Sequence, residues 1–140
     1  MSAVVAGTEL VAVETTVSQE RIRRYADAAG DHNPIHLDEA VAARTQFGGT
    51  IAHGMLVLAL VSASLTATFG PAWGTASRLK VRFRAPARPG DTLRAGGTIE
   101  RLRQAGNGTV ADCAVECRNG SGELLISGEA SVPVGERRGA

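Results

Sequence analysis

The hydrophobic positions along this chain change their period twice, and the changes divide it into predicted elements. Residues 8 to 17 are rich in Val and Thr and read as a first strand. Ser18 follows as a helix N-cap, Ile22 and Tyr25 fall at helical spacing after it, and Gly30 supplies the stop. From 30 to 36 no period persists, and Asn33-Pro34 marks a loop. Asp38 stands where it would cap one helical turn over 39 to 43. A Gly48-Gly49 pair then precedes a second helix, predicted from about 54 to 69 and ended by Gly70-Pro71. Met55 to Val61 has no polar face at all, which predicts a helix buried on every side.

After that helix the period falls to two. Leu79, Val81 and Phe83 alternate with Arg78, Lys80, Arg82 and Arg84, the pattern of a half-solvated strand. Pro86 to Asp91 is a turn, and three more strands are predicted at 92–103, 109–118 and 123–133, separated by Gly-Asn-Gly and Asn-Gly-Ser-Gly turns. The order is strand, helix, loop, apolar helix, then four antiparallel strands. One long apolar helix wrapped by a curved antiparallel sheet satisfies it, an α+β architecture whose strand order the period does not contain. A single domain over 1–134 is predicted, with 135–140 as a disordered tail.

Composition changes this picture little. With three Phe, one Trp and one Tyr, the core has to be filled by Val, Ala and Leu. Fifteen basic and fourteen acidic residues leave a charge of +1, so there is no field to attract nucleic acid or an anionic membrane. The stretch Met55 to Leu65 is too short to span a bilayer, and the start of the chain lacks the basic lead of a signal peptide. Cys113 and Cys117 lie on one face of a predicted strand, too far apart along it for a disulfide and without the neighbours of a zinc site. They read as two free core thiols in a reducing compartment, and the protein as cytoplasmic.

The chemistry lies in Tyr25 to Asp38 and in Ile51-Ala52-His53-Gly54-Met55. Gly30 turns the chain, and Pro34 stiffens Asp31 to His36 into a short arch that holds a carboxylate and an imidazole towards one point. Such a pair can orient a water, take one proton from it and deliver another. Gly54 opens the apolar helix, where backbone N–H groups lack internal partners and no side chain blocks a ligand oxygen. A carbonyl bound there would be polarised. His53 is a candidate for touching substrate as well as for capping or packing, and Asn33 reads chiefly as a turn-former. Taken singly, Asp31 reads as a turn carboxylate and His36 as a structural histidine; only together do they read as chemistry. Arg78, Lys80, Arg82, Arg84 and Arg88 read as a solvated face, some of which could meet the phosphates of coenzyme A or an acidic carrier.

The run Gly30-Asp31-His32-Asn33-Pro34-Ile35-His36, with Tyr25 before it and Ala52-His53-Gly54-Met55 after it, resembles the MaoC-like dehydratases, including the (R)-specific enoyl-CoA hydratases. The resemblance is concentrated in residues 25 to 65, with Val81 to Pro86 and Pro89-Gly90-Asp91 matching beyond. It implies the hot-dog fold, paired as a dimer through edge strands. It implies reversible syn addition of water to trans-2-enoyl thioesters of coenzyme A or an acyl carrier protein, giving (R)-3-hydroxyacyl thioesters, with no metal or redox cofactor. By the same resemblance Asp31 and His36 are the acid–base pair and Gly54 the carbonyl-binding amide. Ser62 matches a serine that some members place near the reacting group, although a helix hydroxyl often just bonds a carbonyl one turn back. Asn33 and His53 complete the candidate substrate contacts. Two alternatives stand beside this: an acyl thioesterase, disfavoured because 54–70 holds no Asp or Glu, and a partner-dependent or non-catalytic subunit of a heterodimer.

Overall fold

A computed structural model describes residues 4–135; the predicted tail beyond Gly135 lies outside the described residues. Strand β1 (Val13–Thr16) leads into helix α1 (Gln19–Ala29), which is followed by two single turns, α2 (Pro34–Leu37) and α3 (Glu39–Ala42), and the long helix α4 (Gly54–Phe69). A 3-10 segment, Gly70–Gly74, and four strands complete the chain: β2 (Arg78–Phe83), β3 (Thr92–Ala105), β4 (Gly108–Asn119) and β5 (Leu124–Val134). All five strands form one antiparallel sheet in the order β1-β3-β4-β5-β2. The hairpins β3–β4 and β4–β5 follow from their Gly-rich turns. The return of β2 to the far side of β5 is a long-range pairing that no local pattern specifies.

The alternation of β4 explains the core. Ala111, Cys113, Val115 and Cys117 point to one buried face, and Leu93, Ala95 and Ile99 on β3 and Ala130 and Val132 on β5 join them. Both cysteines are therefore free and buried, as their spacing predicts. A register shift between Ile99 and Arg101 adds curvature to the longest strand, so the sheet wraps α4.

The described elements correct the sequence reading in three places. The first strand is only Val13–Thr16, with an isolated bridge from Glu9 to Thr98. The residues read as an irregular loop contain α2, because Pro34 at the first helical position has its φ preset and Asn33 caps it. Gly70-Pro71 ends α4 at Phe69 as expected, and a separate 3-10 segment follows it. Finally, α4 is not buried on every side: Val57, Val61, Ser64, Leu65 and Phe69 face the sheet, whereas Met55, Ala59, Ala63 and Ala67 are exposed. A single layer of sheet covers only one side of a helix, and in the isolated chain nothing packs on the other.

Counted with the 3-10 segment, Gly54–Gly74 reaches 21 residues at a mean hydropathy of 1.7, the length and composition of a bilayer span. That differs from the expectation drawn from Met55 to Leu65. Its buried side is seated in the sheet, the arrangement of a core helix. The hydroxyls of α4 serve packing: Ser64 donates to the Val11 carbonyl at 2.6 Å, and Thr68 accepts from the Val11 N–H at 2.9 Å.

Candidate active site

The site is assembled where α1 ends, α2 turns and α4 begins. Ser18 caps α1 by accepting from the Arg21 N–H at 3.1 Å. Gly30, at φ 73°, ends it in the left-handed region, and both the Gly30 and the Asp31 N–H groups donate to the Ala26 carbonyl. The chain therefore leaves α1 sharply, with the Asp31 carboxylate exposed. Asp31 Oδ1 then accepts from the Asn33 N–H at 3.3 Å, Asn33 Oδ1 from the Ile35 N–H at 3.1 Å, and the Asn33 carbonyl from the His36 N–H at 3.0 Å. Asn33 acts here as the cap that folds α2.

That single turn aims His36 inward, where it is 7% exposed. Its Nδ1 lies 2.8 Å from the Ile51 carbonyl. A carbonyl can only accept, so Nδ1 carries the hydrogen and Nε2 is the nitrogen left to exchange a proton. The Ile51 N–H reaches back to the Ile35 carbonyl at 3.2 Å, which ties the segment before α4 to α2. Gln19 completes the support: its Nε2 donates to the His36 carbonyl at 2.7 Å, and its Oε1 shares the Thr50 hydroxyl with Glu39 Oε2. Sequence reading missed Gln19, Glu39 and Thr50. They come from three separate segments and carry no common spacing.

His53 lies beneath this pair, 2% exposed. Its Nε2–H donates to the backbone carbonyl of Asp31 at 2.9 Å, and its ring stacks on that of His36 with centroids 3.7 Å apart and planes 25° apart. The Tyr25 ring stands 4.9 Å away on another side. Asp31, His36 and His53 each place one donor atom within 4.8 Å of the others, the spacing of a potential cation site. The stacking argues against that use. Ring lone pairs lie in the ring planes, and an ion shared by two nearly parallel rings would sit well out of both. A carboxylate and an imidazole whose donor atoms lie within 4.8 Å of each other suit proton transfer to and from a small molecule better.

Gly54 adjoins the cluster as the first residue of α4 and is exposed. The Leu56 and Val57 N–H groups bond back to the His53 carbonyl, and the His53 side chain makes no capping bond. The amide at the helix start is thus aimed outward with the positive end of the dipole behind it. Ser62 lies elsewhere: eight residues further along α4, about 12 Å by helical rise, it accepts the Trp73 indole N–H at 2.9 Å. Beside α4, Leu56, Ala59, Leu60 and Ala63, with Thr15, Val17, Arg21 and Leu93, line a mostly apolar cavity of about 220 Å³.

Comparison with known proteins places this geometry in context. Residues 3–116 match the family described as MaoC like domain. A 3-hydroxybutyryl-CoA dehydratase of Methylorubrum extorquens is 37% identical over 134 residues, covering 95% of this chain and 82% of the relative. A 3-hydroxyacyl-thioester dehydratase Z of Mycobacterium tuberculosis is 38% identical over 106 residues, covering 68% of this chain and 66% of that protein. Among solved structures, an unliganded R-hydratase from Pseudomonas aeruginosa superposes with a TM-score of 0.79 at 29% identity, covering 96% of this chain and 84% of the other.

Proposed function

This chain belongs to the MaoC-like domain family, and from that premise we propose that it is a hydro-lyase acting reversibly on trans-2-enoyl thioesters of coenzyme A or an acyl carrier protein. The observation that carries the reading is the exposed Asp31 carboxylate beside a His36 whose Nδ1–H is fixed on Ile51, leaving Nε2 for proton exchange. The likeness to relatives named as dehydratases and an R-hydratase supports the same chemistry.

In the hydration direction a water is held between Asp31 and His36 Nε2. Its oxygen forms a bond to C3 of the enoyl group as the pair withdraws a proton, and the C2–C3 π electrons move towards the thioester oxygen. The Gly54 N–H stabilises the enolate charge on that oxygen. The proton held by the pair then goes to C2 on the same face, which makes the addition syn, and attack of the water on one face of C3 sets the (R) configuration of the 3-hydroxyacyl thioester. One water supplies both the hydroxyl and the proton, so nothing further is consumed. The acyl chain runs along the apolar cavity beside Leu56 and Leu60.

The active form is a homodimer. In the single chain Phe83 and Met55 are 54% and 59% exposed, β2 has a partner on one side only, and the outer side of α4 is apolar and uncovered. A second copy on this side accounts for all three. The free buried thiols fit a cytoplasmic enzyme. The thioesterase reading is weaker, because α4 carries no carboxylate.

The test is the loss of enoyl-thioester absorbance with crotonyl-CoA and a medium-chain trans-2-enoyl-CoA, wild type beside Asp31→Asn. Hydration that disappears in the variant supports the reading. Equal rates in both proteins would refute the role given to Asp31.

A further inference from the structure

One side chain touches both reacting residues, Asp31 through its backbone and His36 through its ring, and it does so from the buried side. His53 donates through Nε2–H to the Asp31 carbonyl and lies flat against the ring of His36. Asp31 is exposed, and its carboxylate is placed by the Asn33 N–H and by its own backbone, which is held at the N–H by Ala26 and at the C=O by His53. His36 is held along its edge by Ile51 and across its face by His53.

The second nitrogen of His53 strengthens the point. Nδ1 is buried without a hydrogen-bond partner among the described residues. An unsatisfied buried acceptor is unfavourable, and Phe or Leu would fill the same space without it. A ring with one nitrogen unpaired is worth keeping here only if the other nitrogen is needed, and that one is bonded to Asp31. A 2% exposed ring with its N–H so engaged has no polar hydrogen to offer a substrate.

We infer that His53 is a positioning residue: it sets the separation and orientation of the Asp31 carboxylate and His36 Nε2 through the Asp31 carbonyl and the face of the His36 ring. It therefore acts on turnover rather than on substrate affinity. The inference rests on the reading of Asp31 and His36 as the reacting pair.

Three variants separate the two contacts. His53→Ala removes both, His53→Gln keeps an N–H donor at the position of Nε2, and His53→Phe keeps the flat ring. Misplacing a reacting group by about 1 Å can lower a rate about 10²-fold, so His53→Ala is expected to lose roughly 10- to 100-fold in kcat. KM should stay within about threefold, because uniform binding is untouched. His53→Gln and His53→Phe should each recover part of the loss. Hydrogen exchange should rise in the amides of residues 31–37 in His53→Ala and not along α4.

A KM that rises while kcat holds would make His53 a substrate ligand and overturn the inference. So would a kcat within twofold of wild type. If His53→Ala does not fold, the two space-filling variants decide alone, and wild-type kcat in both overturns it. Asp31→Asn in the same assay separates the two failures. Inactive Asp31→Asn beside fully active His53 variants sinks only the positioning role. Active Asp31→Asn sinks the reading of the pair, and the exchange data still report whether His53 holds the loop.

Discussion

The ring of Phe83 lies against Gly54: a Cβ placed on Gly54 would stand 3.0 Å from Phe83 Cε1. Glycine at the start of α4 thus leaves room for the Phe83 ring. Gly54→Ala would shift the Phe83 ring by a few tenths of an ångström, at a small cost in stability. The Cβ would still stand beside the amide proposed to polarise the thioester. We expect kcat to fall by up to about 10²-fold, as when an oxyanion donor is lost. The double variant Gly54→Ala/Phe83→Ala removes the clash but should not restore the rate. Full recovery in the double variant would mean that Phe83, not the amide, governs the effect.

Asp31→Asn and His36→Asn should each lower kcat by roughly 10²–10⁴ and leave the fold intact. Asp31 is exposed, and Asn at 36 retains an N–H at the position of Nδ1 that can reach Ile51. Circular dichroism and melting temperature close to wild type, together with lost turnover, would meet the expectation. A collapse of the melting temperature in both would make the residues structural.

Asp112 gives a prediction about pH. Its carboxylate accepts from Arg103 Nε at 2.8 Å, Arg101 Nε and Nη2 at 3.0 and 2.8 Å, and Ser131 Oγ at 2.8 Å. The Arg103 hydrogen bond chiefly, with those from Arg101 and Ser131, holds its pKa down from 3.8 to about 2 against the opposing effect of burial. A lowered folded-state pKa adds stability above the unfolded value, and that stability is lost as pH falls from 4 through 2. Both arginines are substantially exposed, so after solvent screening the contribution is about 1 kcal/mol. Denaturant unfolding of wild type and Asp112→Asn should show a gap of that size at pH 7 that closes between pH 4 and 2. A gap unchanged at pH 2 would exclude this network as its source.

Burial pushes the thiols of Cys113 and Cys117 up to about 11. At pH 8 both remain protonated and covered, so a thiol reagent should label neither in the native protein and both after denaturation. Rapid native labelling of either would place it outside the core.

Sedimentation should return twice the single-chain mass. A monomer with full hydratase activity would remove the need for a second copy over α4 and β2.

Several features were legible in the chain because each is local. The cap at Ser18, the turn at Gly30, the bounds of α4 and the common face of Cys113 and Cys117 depend on residues within a few positions of one another. The closeness of Asp31 and His36 was legible for the same reason, since Gly30 and Pro34 shape the six residues from Asp31 to His36. Other features needed the folded chain. Gln19, Glu39 and Thr50 meet from three segments, Trp73 takes the hydroxyl of Ser62, and His53 reaches across 22 positions to the carbonyl of Asp31. The exposed side of α4 was also invisible, because hydropathy records what a helix would bury and not how many layers are there to cover it. Short-range sterics and capping act within a turn or two and are written in sequence order. Which distant groups share one point is set by how β2, β5 and α4 close around the core, and that is decided only when the whole chain packs.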